Sequence, residues 1–281
     1  MQGTTGRSDD WWAELTIGHA AGVVRGRAAE ARRTPFGWML PTPRAQHVWA
    51  VNRAQVVPGA GGLDAADTVT AVEAAHDAAG LVHRAIDVRS KGDARRLGAV
   101  LRAAGYVVQE LEVLVADPSE LVAATRPRPG RRWAVAPYGP AAGLDVRRAA
   151  GAMETSRGEL EREQVATQWA MAPAEGAAHL VARSDVGEAV GVAVVHRGSL
   201  HLELDDVLTH PAHERSGVGA ALLRSTATMA AERGVAGVTL LADPNSYAAG
   251  WYRRLGFRRV GGTTQAHRDA GERAAGSPGR P

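Results

Sequence analysis

The most concentrated acid–base chemistry in the chain lies in His201 to Asp206, which reads HLELDD. Alternation along a strand puts His201, Glu203 and Asp205 on one face and Leu202 and Leu204 on the other. A carboxylate held there can take a proton from an attacking nucleophile. Glu203, Asp206 and His201 are the candidates for such a base. A β-bulge near Asp206, a device common beside active sites, would change the face that this residue presents. Just beyond, His210 to Leu223 reads HPAHERSGVGAALL. A polar turn and Gly217-Val218-Gly219 lead there into an apolar run of helical type. A strand, a glycine turn and a helix start together make a site for an anion. The amides of the first helical turn have no intrahelical acceptor, and the helix dipole favours negative charge beside them.

The histidines do not show metal-ligand spacing. His210 and His213 lie in a proline-containing turn with no accompanying carboxylate pattern, so no metal is expected. There is no cysteine, which excludes disulfides, Cys-ligated zinc and a Cys nucleophile, and fits a reducing cytoplasm. The 281 residues are 45% hydrophobic and 22% charged, with a net charge of +3. That balance speaks for a globular protein and against a dedicated nucleic-acid binder. No apolar run approaches the roughly 18 residues of a membrane span, and the N-terminal MQGTTGRSDDWW lacks a signal core. Neither nucleic acid nor membrane is expected as a partner, and the location expected is cytoplasmic.

These residues need elements to hold them. Asp9 or Asp10 caps a helix reaching about Arg33, with Trp11 and Trp12 turned inward. Strands are expected at 36–40 and 47–57, then the turn Pro58-Gly59-Ala60-Gly61-Gly62 and a helix to Ala79. A strand at 82–88, a helix at 93–104 and a strand at 106–115 follow. Pro118, Pro127, Pro129 and Gly130 mark 118–130 as a linker. Next come a strand at 132–137, helices at 141–153 and 157–171, and strands at 178–183, 189–196 and 200–209. The anion-site helix runs to Arg233. A strand at 235–242, a helix at 246–255 and a strand at 257–263 complete the pattern, and 267–281 reads as a disordered tail. The second unit is therefore β-α-α-β-β-β-α-β-α-β, a meander passing through a helix into a parallel crossover.

That order, with HERSGVG after the unit's fourth strand and ADPNSYAAGWYRRLGF after its fifth, resembles the GNAT N-acetyltransferase superfamily over about Arg131 to Arg268. The family's glycine turn is Gln or Arg, two residues, Gly, one residue, then Gly or Ala. Gly217, Val218 and Gly219 fit it. Glu214 stands at the leading position instead, with Arg215 beside it as a source of positive charge. The family's second motif is met by Asn245, Ala248, Tyr252, Gly256 and Phe257.

The resemblance implies an α/β (α+β) GNAT fold at 131–266, with a mixed sheet whose fourth and fifth strands splay. It implies acetyl-CoA as co-substrate, with the amides of Arg215, Ser216, Gly217, Val218, Gly219 and Ala220 around its pyrophosphate. The backbone of Val207, Leu208 and Thr209 would pair with the pantetheine arm like an added strand, and Asn245 would bond the arm or fix the next helix. Tyr252 would be the general acid toward the departing sulfur, with Glu203 or Asp206 the base and the Val207 or Leu208 amide the oxyanion donor. The expected reaction moves an acetyl group to a primary amine of a small molecule or peptide by direct attack in a ternary complex. A coenzyme-binding sensor without turnover is the alternative. The protein is expected as a monomer or homodimer.

Residues 1–117 carry their own strand, glycine turn, helix, strand, helix, Gly-Tyr and strand, and RAAGYVV at 102–108 echoes RRLGFRRV at 253–260. The glycine turn has no basic residue on its helix side, and no Asn-to-Tyr motif precedes Gly105. This half resembles a degenerate module of a two-module GNAT protein, a smaller α/β unit like half a GNAT domain.

Overall fold

The computed structural model describes residues 6–59, 62–81, 83–127, 133–139, 143–149 and 177–268. The chain divides into two compact units, Met1–Val23 with Glu112–Gly261, and Val24–Leu111 with Gly262–Pro281.

The first unit opens on helix α1 (Asp9–Arg27), of which the residues to Val23 belong here. Its strands are the second half of β5 (Val107–Ala116), β6 (Ala134–Tyr138), β7 (Ala177–Arg183), β8 (Ala189–Arg197), β9 (His201–Thr209), β10 (Gly237–Ala242) and the start of β11 (Arg258–Arg268). Their order includes β5-β10-β9-β8-β7-β6. The pair β9/β10 is parallel, whereas β10/β5, β9/β8, β8/β7 and β7/β6 are antiparallel. Three further helices complete the crossover, α4 (Pro118–Ala124), α6 (Val218–Glu232) and α7 (Tyr247–Arg254), together with the short α5 (Leu144–Ala149).

Helix α6 is amphipathic in the ordinary way. Val218, Leu222, Leu223, Thr226, Ala227 and Ala230 form its buried stripe. They join Leu202 and Leu204 of β9, Leu240 of β10 and Tyr252 of α7 in the main core. The approach of α6 to the sheet is close enough that a Cβ on Gly191 would stand 2.3 Å from Val218. On the opposite face, Trp12 of α1 packs with Val113, Val115 and Val260. It lies over Gly237, where a Cβ would meet the indole at 2.7 Å.

In the second unit the order is β1 (Arg32–Thr34), β2 (Gly37–Leu40), β3 (Arg53–Val56), β4 (Arg84–Val88) and then β11. Helices α2 (Ala65–Ala78) and α3 (Lys91–Ala103) are capped by Asp64 and Ser90. Val69, Val72, Leu97, Leu101 and Tyr106 share its core with Ile86 and Val88.

Several expected elements differ. Segment 118–130, read as a linker, begins as α4, because Asp117 caps it and Pro118 occupies a first-turn position that needs no N–H. The expected helix to Arg33 ends at Arg27, and β1 takes over from Arg32. Residues 47–57 are not one strand. Two 3-10 turns precede β3, pinned by the buried Asn52, whose side chain accepts from Thr42 N at 2.6 Å and donates to Ala45 O at 2.6 Å and Val48 O at 2.9 Å. Strand β11 continues through His267 and Arg268, paired with Ala85 and Arg84, where a tail was expected. Of the helix expected at 141–153, α5 covers 144–149. The helix expected at 157–171 and the tail from 269 lie outside the described residues.

Candidate active site

The site begins where β9 and β10 part. Their parallel pairing covers Gly237↔His201, Val238↔Leu202 and Thr239↔Glu203 and then stops. Strand β9 runs on to Thr209 held only by β8, while β10 runs on to Ala242 held by β5. Burial changes at the same point. His201 to Leu204 are buried, and Asp205 to Thr209 are half-buried. Alternate peptide groups of Val207, Leu208 and Thr209 are thereby offered along an open strand edge, which an extended chain can pair with.

The far part of β9 is aimed by a bulge. Val192 opposes Leu208 and Val194 opposes Asp205, so Asp206 and Val207 together face one residue of β8. Asp206 adopts φ 49°, a left-handed conformation tolerated by Asp more than by most residues. Its carboxylate lies 3.4 Å from the guanidinium of the buried Arg147 on α5.

The turn from β9 into α6 closes one end of the splay. His210 caps a 3-10 turn at Pro211–His213, Arg215 has φ 57° and Gly217 has φ 97°. Trp133 holds this turn by donating its indole N–H to Ser216 O at 3.2 Å. Helices α2, α3, α4 and α7 each have a side-chain cap, from Asp64, Ser90, Asp117 and Ser246. Gly217 at the start of α6 supplies none. The amides of that first turn are thus left to an acceptor from outside the helix, and the dipole favours an anion there. Arg215 is exposed beside them and so is Glu214. Trp251 covers the turn from the α7 side, so near that a Cβ on Gly219 would lie 3.0 Å from its ring. Asn245 is exposed at the turn before α7.

Tyr252 is buried on the α6 face of the sheet, packed with Trp251 and Phe257. Burial, and secondly the carboxylate of Asp205, push its phenol pKa well above the usual value, so it stays protonated. Glu203 lies on the opposite face, also buried, at the point where pairing with β10 ends. Its Oε2 is 2.5 Å from Nδ1 of His19. Burial acts to lower the pKa of His19, but the hydrogen bond and charge of Glu203 outweigh it and the net shift is upward. His201 sits edge-on to His19, ring centroids 4.8 Å apart. Burial and the neighbouring His19 push it down to about 4, so it is neutral at physiological pH.

The structure therefore gathers Glu203, Asp206, Val207, Leu208, Thr209 and the 215–220 turn along β9 and its continuation, with Tyr252 beneath. His19, Arg147, Trp133 and Trp251 were not among the expected site residues. The one signal for His19 was its place on a stripe with Trp12 and Thr16 in α1, which by itself reads as packing.

Residues 146–257 match the model of the acetyltransferase (GNAT) family. This part of the chain is similar to a GNAT domain, a family whose general activity is acetyl transfer. Among solved structures, a functionally unknown conserved protein from Staphylococcus epidermidis aligns with a TM-score of 0.66 at 15% identity, over 85% of this chain and 92% of the other. A GCN5-related N-acetyltransferase from Kribbella flavida aligns at 0.61 and 18% identity, over 90% and 95%. A tandem GNAT protein from the clavulanic acid biosynthesis pathway aligns at 0.53 and 14% identity, over 92% and 94%. At these identities the likeness establishes the fold. No curated protein matches the sequence. Among the described residues, no helix is long and apolar enough to cross a membrane.

Proposed function

We propose that the chain is an N-acetyltransferase that moves the acetyl group of acetyl-CoA to a primary amine of a small molecule or peptide, by direct attack in a ternary complex. The observation that carries this reading is the opening of β9 from β10 beside an uncapped helix start. The fit to acetyl-CoA rests on two donor sets. A first-turn row of amides with Arg215 suits a pyrophosphate, and an open strand edge at Val207, Leu208 and Thr209 suits an amide-containing arm. Asn245, exposed at the turn before α7, is the side chain assigned to that arm in this reading.

Acetyl-CoA supplies the acyl group as a thioester. The residues around it divide the proton work. Glu203 takes the proton of the amine, and His19 fixes the carboxylate that does so. The amide of Val207 or Leu208 donates to the carbonyl oxygen as it gains charge. Tyr252, kept protonated by burial, donates to the sulfur from the other face of the sheet. Asp206 ranks below Glu203 as base because Arg147 already engages it. The 24–111 unit is read as a degenerate module. Its parallel pair β3/β4 runs from Ala54↔Ile86 to Val56↔Val88 and is extended by Arg89 N to Val56 O at 3.3 Å, so these strands stay joined where β9 and β10 part.

Release of free thiol from acetyl-CoA in the presence of a panel of primary amines tests the reading. Amine-dependent release supports it. Binding of acetyl-CoA with no turnover of any amine would favour a sensor instead.

A further inference from the structure

We propose that His19, His201 and Glu203 form a binding site for one divalent cation of the zinc type. One ligand atom from each lies within 4.8 Å of the others. Two imidazole nitrogens and one carboxylate oxygen are a donor set that zinc takes in three-ligand sites, with a fourth position left for water.

Two observations beyond proximity point to a ligand. His201 is fully buried, yet neither of its ring nitrogens reaches a hydrogen-bond partner. Buried polar groups are rarely left so, and one imidazole with both nitrogens unpaired is costly. Thr239, in register with Glu203 and therefore on the same face of the sheet, is also fully buried with an unpartnered Oγ1. The region thus has more polar capacity than the surrounding side chains use. The ligands also stand on firm supports. His201 and Glu203 are two apart on β9 and project to one face, and His19 comes from α1, anchored by Trp12 over Gly237.

Binding asks for adjustment in two directions. Two ligands about 2.1 Å from a tetrahedral zinc lie roughly 3.4 Å apart. His19 and Glu203 stand 2.5 Å apart and must open by somewhat under an ångström, while the most separated ligand atoms, up to 4.8 Å apart, must close by about 1.4 Å; rotation of the partly buried His19 contributes to both. The claim concerns binding alone; it shares Glu203 with the acetyltransferase reading, so with the cation bound the Glu203 carboxylate is a ligand and the base role passes to Asp206.

The test uses the full chain stripped with EDTA and titrated with Zn2+ and, separately, Co2+. The expected result is one equivalent bound, visible Co2+ absorption of a low-coordinate site, and a higher melting temperature with Zn2+. His19→Ala, on a half-exposed helix position, and His201→Gln should each weaken binding by about tenfold or more. His210→Ala with His213→Ala should leave it unchanged. Circular dichroism establishes that each variant is folded, and His19→Ala alone decides if His201→Gln is not. Absence of binding, or binding unaltered in His19→Ala, overturns the proposal and leaves buried water as the partner of these groups.

Discussion

Glu203 and Tyr252 divide the proposed chemistry between two faces of one sheet. Leu202 and Leu204 point into the core that holds Tyr252, and Glu203 between them points to α1 and His19. Removing the base while keeping its shape should therefore leave cofactor binding intact. Glu203→Gln is expected to lower kcat by about 100-fold, with acetyl-CoA affinity by calorimetry unchanged. A kcat within a factor of two of wild type would move the base to Asp206. The acidic run on β9 was legible from alternation alone, and so was the prospect of a bulge at Asp206. His19 was not, because its partner lies 184 residues away and no local spacing reports a contact of that range. Arg147 was hidden for the same reason.

At the scale of elements, the crossover β9–α6–β10 sets the geometry, and Gly191 of β8 lets Val218 at the start of α6 approach closely. A methyl there would stand 2.3 Å from Val218 Cγ1, so α6 or β8 must shift. Gly191→Ala should cost about 1–3 kcal/mol of stability in urea unfolding, and a neutral result would mean the helix start can yield. The strands, α6 and the glycine turn were readable because each combines a clear period with a defined stop signal. Segment 118–124 was misread because its proline begins a helix and does not break one. The stretch before β3 was misread because Asn52 ties Thr42, Ala45 and Val48 into turns, a side-chain network that apolar alternation does not reveal.

At the scale of the molecule, acid sensitivity is built into one of the two units. In the 24–111 unit Glu73 receives Tyr106 Oη–H, Arg84 and Arg268. Burial acts to raise its pKa, but these hydrogen bonds and charges outweigh it and hold the carboxyl below its usual value. A group with a depressed folded pKa stabilises the fold above its unfolded pKa, near 4.3 for Glu. That stabilisation is lost as pH falls through the folded value. Thermal melts from pH 7 to 3 should show a steep fall below about pH 4 that is flattened in Glu73→Gln. A parallel fall in both proteins would assign the acid sensitivity elsewhere. The whole reading of the protein turns on its cofactor, and a calorimetric titration with acetyl-CoA is the decisive experiment. One equivalent should bind, because β9 and β10 part in one unit while β3 and β4 stay paired in the other. Arg215→Ala, an exposed change beside the α6 amides, should weaken it about fivefold, as loss of one exposed charge contact does. A flat isotherm at millimolar acetyl-CoA, or tight binding indifferent to Arg215, would contradict the assignment of the site.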